Sequence, residues 1–284
     1  MKRVGKPEIR EVGMDNDRRI RRNITIYYFS GTGNTRCIAE RLAARFNAGT
    51  SYSVVKRMEE VETVTVEPEE MIGIGFPIAA FSTYPVVFDF LGKLPTVPDN
   101  PVFGFCTMGG ASLIGIIDEV RHRVRKLGFT PAGFCEFRMP LNIFFSFPDA
   151  FCRTRVMKAA QQADSFADAL ADGKTVWKRK LPGSELIFLL ADGLFRLTGT
   201  KLHQRLLKIR INDEKCTRCG ICMRKCPVGN ITMDCRITVG NRCQYCLRCV
   251  AVCPHDATHA ILSPKSLHYR VEQVLTEDQK GIEK

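Results

Sequence analysis

Of the 13 cysteines in the chain, eight stand in two runs of the same spacing, Cys-x2-Cys-x2-Cys-x3-Cys-Pro. Cys216, Cys219, Cys222 and Cys226 precede Pro227; Cys243, Cys246, Cys249 and Cys253 precede Pro254. Three thiols at i, i+3 and i+6 can fold around three irons of a cubane, while a fourth carried past a proline turn points away from it. Structural zinc asks for four ligands, commonly as two Cys-x2-Cys pairs, and leaves the third cysteine of each run and the one before proline without a task. Disulfides are disfavoured by the expected compartment. The first twenty residues hold no apolar run of secretory length and no small-residue cleavage site, which points to the inside of a cell, where thiols stay reduced. The apolar run at 186–191 is far short of the ~20 residues that span a bilayer, so no transmembrane segment is expected.

A second stretch able to do chemistry is "SGTGNT", residues 30–35, set between the strand-like "NITIYYF" and a helical pattern. Backbone N–H groups of such a turn point at whatever sits over the helix N-terminus, and the hydroxyls of Ser30, Thr32 and Thr35 add donors. The result is a phosphate cradle. It lacks the lysine of a nucleoside-triphosphatase loop and the third glycine of a dinucleotide fingerprint. A helix cap that binds nothing is the alternative reading.

These residues need elements to position them. With 284 residues, 45% of them apolar and 25% charged, the chain has the composition of about two globular domains. Strand patterns at 23–29, 50–55, 71–76, 102–107 and 132–137 alternate with helix patterns at 33–46, 85–91, 112–127 and 150–171. Within the first helix Ile38, Leu42 and Phe46 recur on one face. Such alternation predicts a parallel sheet covered on both faces, with ligands at the carboxyl ends of its strands. The alternation stops near residue 173. "DGKTVWKRKLPG" reads as a basic connector, residues 185–210 as an interrupted helix packed between domains, and the stretch to 263 as cysteines and short turns. The expected organisation is a basic tail (1–22), a first domain (23–172), a connector and helix (173–210), a second domain (211–263) and a polar tail (264–284).

The second domain resembles the bacterial two-[4Fe-4S] ferredoxin family over both motifs. That resemblance implies reciprocal ligation: Cys216, Cys219, Cys222 and Cys253 for one cluster, and Cys243, Cys246, Cys249 and Cys226 for the other. The first domain is similar to flavodoxin, whose corresponding loop holds the phosphate of FMN. The resemblance assigns that loop to Ser30, Gly31, Thr32, Gly33, Asn34 and Thr35. It places Phe76, Pro77 and Ile78 after the third strand, and Thr107, Met108, Gly109 and Gly110 after the fourth, at the border of the isoalloxazine ring. Residues 138–142, "RMPLN", look like the next loop of flavodoxin–ferredoxin fusion proteins. Where family members often carry an aromatic residue, Ala79 and Ala80 stand here, with Phe81 and Tyr84 nearby. Phe144, Phe145 and Phe147 are further candidates, though aromatic residues near a strand end are more often core. The fold class implied is α/β: a flavodoxin-like, doubly wound, parallel five-stranded sheet with a second, smaller two-[4Fe-4S] ferredoxin domain.

A formal net charge of +12 comes with no basic stripe interleaved with aromatics and no nucleic-acid motif. Cluster and FMN charge would offset part of it, leaving a surface suited to redox partner proteins with an acidic face, or to peripheral contact with anionic lipid. Cys37 lies in a helix first turn that favours thiolates, yet buried packing is the better reading. A small buried thiol is likewise expected for Cys235, and Cys106, Cys135 and Cys152 lack metal spacing. The function expected is an electron carrier of an oxygen-poor cytoplasm, relaying electrons between FMN, two [4Fe-4S] clusters and outside partners. The alternatives are a ferredoxin-wired flavin reductase acting on a quinone or nitro compound, and a redox sensor without turnover.

Overall fold

The computed structural model describes residues 23–49, 51–79, 82–110, 115–141, 147–177 and 209–260. Of the helix expected at 185–210, residues 185–208 lie outside the described residues, as do both tails. Its last two residues, Ile209 and Arg210, are strand instead, held by antiparallel pairing with Ala260 and His259. β1 (Asn23–Tyr28), β2 (Tyr52–Arg57), β3 (Met71–Pro77), β4 (Pro101–Met108) and β5 (Thr130–Arg138) form one sheet in the order β2-β1-β3-β4-β5. All four pairings are parallel. This is the flavodoxin-like order, and it reverses direction between β1 and β3.

Alternation along β1 divides two cores. Ile24, Ile26 and Tyr28 face α1 (Asn34–Ala48) and α4 (Asp149–Ala171), whereas Tyr27 and Phe29 join the core under α2 (Pro85–Leu91) and α3 (Gly115–Lys126). β2 runs two residues beyond the apolar "TSYSVV". Lys56 and Arg57 extend the pairing beside Tyr27 and Tyr28, and their cations lie 5.9 and 5.8 Å from those tyrosine rings. The helix after the glycine turn begins at Asn34, because Gly33 caps it with a left-handed φ of 104°.

The connector needs correcting at its start. Trp177, expected within it, is 1% exposed and packs on Phe134 with ring centroids 4.9 Å apart. The Thr175 hydroxyl donates to the carbonyl of Ala132, and Arg121 Nε donates to the carbonyl of Trp177. Trp177 therefore completes the first core, with Thr175 tying the segment to β5 and the rest of 173–177 left in solvent. Indole burial outweighs the basic surroundings that made this stretch look solvated.

Among the described residues the second unit starts with Ile209, two residues before the expected boundary. β6 (Ile209–Ile211) pairs antiparallel with β9 (Thr258–Ala260), and β7 (Ile231–Met233) forms a hairpin with β8 (Ile237–Val239). Short helices α5 (Ile221–Arg224) and α6 (Arg248–Ala251) start within the two cysteine runs. One small core gathers Ile209, Leu247, Val250 and Ala260; a second gathers Cys222, Ile231 and Ile237. Among the described residues, no helix is long and apolar enough to cross a membrane.

Candidate functional site

The fold sorts the eight cysteines across the runs. Cys216, Cys219 and Cys222 share one opening with Cys253, while Cys226 turns away to share another with Cys243, Cys246 and Cys249. Backbone donors already point at sulfur: Asn230 N–H at Cys226 Sγ (3.2 Å), Tyr245 N–H at Cys243 Sγ (3.4 Å) and Ala257 N–H at Cys253 Sγ (3.2 Å). Such donors stabilise thiolate character and tune a cluster's potential. Among the described residues no three His, Cys, Asp or Glu side chains close in tightly enough to grip a single metal ion. Each set of thiols stands instead around a shared opening, the donor chemistry of a [4Fe-4S] cluster.

The two sets differ electrostatically. Burial pushes the Cys246 thiol up to about 11 and the Cys249 thiol well above its usual range, with neighbouring cysteines adding to the Cys249 shift. At Cys253 burial acts the same way, but backbone donors at His255, Ala257 and Thr258 outweigh it and the thiol ends below its ordinary value. In the first set burial likewise raises the Cys222 thiol.

The glycine turn lies at the carboxyl end of β1, where the sheet order reverses. Ser30 Oγ accepts from Gly33 N–H at 3.1 Å, which folds the turn back on itself. α1 has no side-chain cap and no acidic residue in its first turn, so its positive end is left for an outside anion. The Thr35 and Thr107 hydroxyls are 2.8 Å apart, tying this turn to the loop after β4. Asn34 Nδ2 donates to the carbonyl of Pro140 at 3.0 Å, reaching the loop after β5. Its Oδ1 is buried with no protein donor. An anion over the α1 N-terminus and a hydroxyl beside Asn34 describe a ribityl phosphate, so the residues present fit FMN.

The remaining loop residues converge on the same edge. Ile78 N–H donates to the carbonyl of Thr107, and Met139 N–H to that of Met108. Arg155 Nη1 donates to Gly109 O at 2.9 Å and lies 4.7 Å from the ring of Phe151, which stacks on Phe147. Tyr84, a stacking candidate from sequence, is occupied elsewhere. It packs on Phe29 at 5.2 Å, and burial, with Cys246 and Cys243 close by, pushes its phenol well up. Ala80, Phe81, Phe144 and Phe145 lie outside the described residues. Cys37 is buried and pushed up to about 11, chiefly by desolvation, as expected of a packed thiol. Cys235 is a correction: it is exposed, in the turn between β7 and β8, because Asp234 and Arg236 keep that hairpin end in solvent.

One functional residue escapes the sequence reading. Arg248, between Cys246 and Cys249, is 5% exposed and leaves its own unit to grip the glycine turn. Its Nε and Nη2 donate to the Ser30 carbonyl at 3.1 and 2.8 Å, its Nη1 pairs with Glu59, and the guanidinium lies 5.3 Å from the Phe29 ring. Beside it, a Cβ on Gly31 would collide with the backbone carbonyl of Cys246. Gln244 Oε1 accepts from Val86 N–H at 3.4 Å, adding a contact with α2. An arginine at an unconstrained position of a metal motif gives no sequence signal of this kind.

Comparison with known proteins finds a family match in the cysteine-rich unit and similar folds for the sheet. The 4Fe-4S binding domain family model matches residues 209–232, which contain β6, the first cysteine run and the start of β7. The sheet unit has the flavodoxin-like strand order, and the first cysteine run lies in a segment that matches a 4Fe-4S binding domain. Similar solved structures include a flavodoxin from the domain Archaea, 13% identical over 52% of this chain and 98% of that one, with a TM-score of 0.38. The two-electron reduced flavodoxin of Megasphaera elsdenii is 24% identical over 50% of this chain and 98% of its own, with a TM-score of 0.38. The flavodiiron protein of Giardia intestinalis is 14% identical over 54% of this chain but 38% of its own, with a TM-score of 0.36. No curated protein matches the chain.

Proposed function

We propose that this chain is an internal electron relay, with FMN at the β1, β3 and β4 loops and a [4Fe-4S] cluster at each cysteine set. One observation carries the reading: the second set is built directly onto the glycine turn, with Cys246 backbone against Gly31 and Arg248 bonded to Ser30. FMN exchanges one or two electrons and each cluster one, so their union can pair a two-electron partner with one-electron steps. The chain's own residues would hold the phosphate at the α1 N-terminus, exclude water between turn and cysteines through Phe29 and Tyr84, which pack together beside Cys246, and order the two sets in line. In that line Cys219 is the exposed end. A basic, one-electron exit suits redox partner proteins with an acidic face, in an oxygen-poor cytoplasm.

The test has two stages. Anaerobic purification followed by iron, sulfide and flavin assay should return about eight irons, as two cubanes require, and one FMN per chain. Rapid reduction of the clusters should then give a first-order flavin signal whose rate is independent of dilution, because both sites share a chain. A rate proportional to protein concentration would reject the internal relay. Catalytic turnover of a quinone or nitro compound would move the chain to the reductase class.

A further inference from the structure

The Arg248 anchor places a cation between two sites that would each hold an anion. Its neighbours in sequence are Leu247, which caps α6, and Cys249; its hydrogen-bond acceptors are Ser30, the first residue of the glycine turn, and Lys225 O at 3.4 Å. Glu59, whose side chain is 6% exposed, balances the charge, and a further contact from Arg57 lies at 3.7 Å. A planar guanidinium giving two N–H bonds to one carbonyl fixes that carbonyl's direction as a single ammonium would not. In a trans peptide the C=O and the following N–H point to opposite sides. By holding Ser30 O, Arg248 therefore also sets the Gly31 N–H, on the face of the turn away from the cysteines. Gly31 itself leaves no slack, since the Cys246 carbonyl occupies the place of a side chain.

We propose that Arg248 is a positioning residue that makes flavin-phosphate binding and assembly of the second cysteine set cooperative. The inference rests on the FMN reading. With Cys226, Cys243, Cys246 and Cys249 assembled around a cluster, Arg248 is presented on α6 in the geometry that orients the Ser30–Gly31 peptide for phosphate. Phosphate on the turn in return steadies Ser30, Arg248 and the two cysteines that flank it. Linkage requires each ligand to tighten the other by the same factor, here about tenfold, inside the usual range for coupled sites.

The test titrates FMN, and riboflavin as its phosphate-free counterpart, into flavin-depleted protein under anaerobic conditions. Four chains are compared: wild type, Cys243→Ala to break the second set, Arg248→Lys to keep the buried charge but lose the fork, and the double variant. Arg248→Lys should retain its iron and lose FMN affinity about tenfold, with riboflavin changed less than about twofold. Cys243→Ala should lose FMN affinity by a similar factor, and the double variant should lose no more than either single one. Additive losses, an equal loss for riboflavin, or wild-type FMN affinity in Arg248→Lys would each overturn the linkage. FMN affinity in Cys243→Ala equal to that of wild type would overturn the linkage alone. A wild-type chain that takes up no FMN would sink the flavin reading as well.

Discussion

The two cysteine runs share a backbone and differ in what surrounds it. Arg218 and Tyr245 occupy matching positions at φ 57° and 55°, Gly220 and Leu247 match at 71° and 60°, and each run leads into a four-residue helix. The next position departs: Ile221 in the first run, Arg248 in the second. So do the surroundings, because Cys219 is exposed whereas Cys246 packs on the core of the sheet domain. A duplicated cysteine frame thus acquires direction from one substituted side chain and one contact. The copy with the arginine faces inward, toward the glycine turn, and the copy without it faces solvent.

That contrast can be broken at its root by Cys226→Ala. Although Cys226 belongs to the first run, its loss should remove the cluster of Cys243, Cys246 and Cys249, cutting iron from about eight to about four per chain. Electron paramagnetic resonance should show the other cluster intact, and loss confined to the set of Cys216, Cys219 and Cys222 would contradict the crossed assignment. Gly31→Ala strikes next at the inward contact. A methyl group there overlaps backbone rather than a flexible side chain, so the second set must move off the turn. Internal flavin reduction should slow roughly tenfold or more once the partner is no longer held in place, while iron content is unchanged. An unaltered rate would show that the contact carries nothing.

Smaller effects sharpen the comparison. Thr35→Ala removes the hydroxyl that joins the glycine turn to Thr107 and should weaken FMN binding by about 1 to 3 kcal/mol, with both cluster signals preserved. Fluorescence titration giving wild-type affinity would return the turn to a plain helix start. The least disturbing probe is thiol alkylation of the loaded protein at pH 8. Exposed Cys235 should react first. Cys37, buried and held at about 11, is about one part in a thousand thiolate at that pH and should react last. Mass spectrometry finding Cys37 labelled early would mean that the α1 core opens readily.

Much of this was legible in the sequence because the chemistry is local. Eight cysteines at fixed spacing and a glycine turn between strand and helix can be read within short stretches of sequence, and the structure stands the cysteines in two sets of four and the turn between β1 and α1. What stayed hidden depends on partners distant along the chain. Arg248 reaches Ser30 across 218 positions, and Trp177 finds Phe134 from within a basic stretch. Strands β6 and β9 are three residues each, too short for a periodic signal, and exist through their mutual pairing. Cys235 was misread because a lone thiol carries no spacing, and the charged neighbours Asp234 and Arg236 decide its exposure.

The β6–β9 pairing has a consequence for how the second unit is hung. Ile209 lies beside Ala260, so the chain enters and leaves by the same edge. A module whose ends meet in this way can be inserted into a host without stretching either neighbour, and its own fold does not dictate which way it faces. Orientation is then left to fastenings elsewhere on its surface, here the salt link to Glu59 and the turn at Gly31. Evolution could re-aim such a unit by moving a single fastening, keeping its metal-binding interior whole while choosing a different neighbour to face.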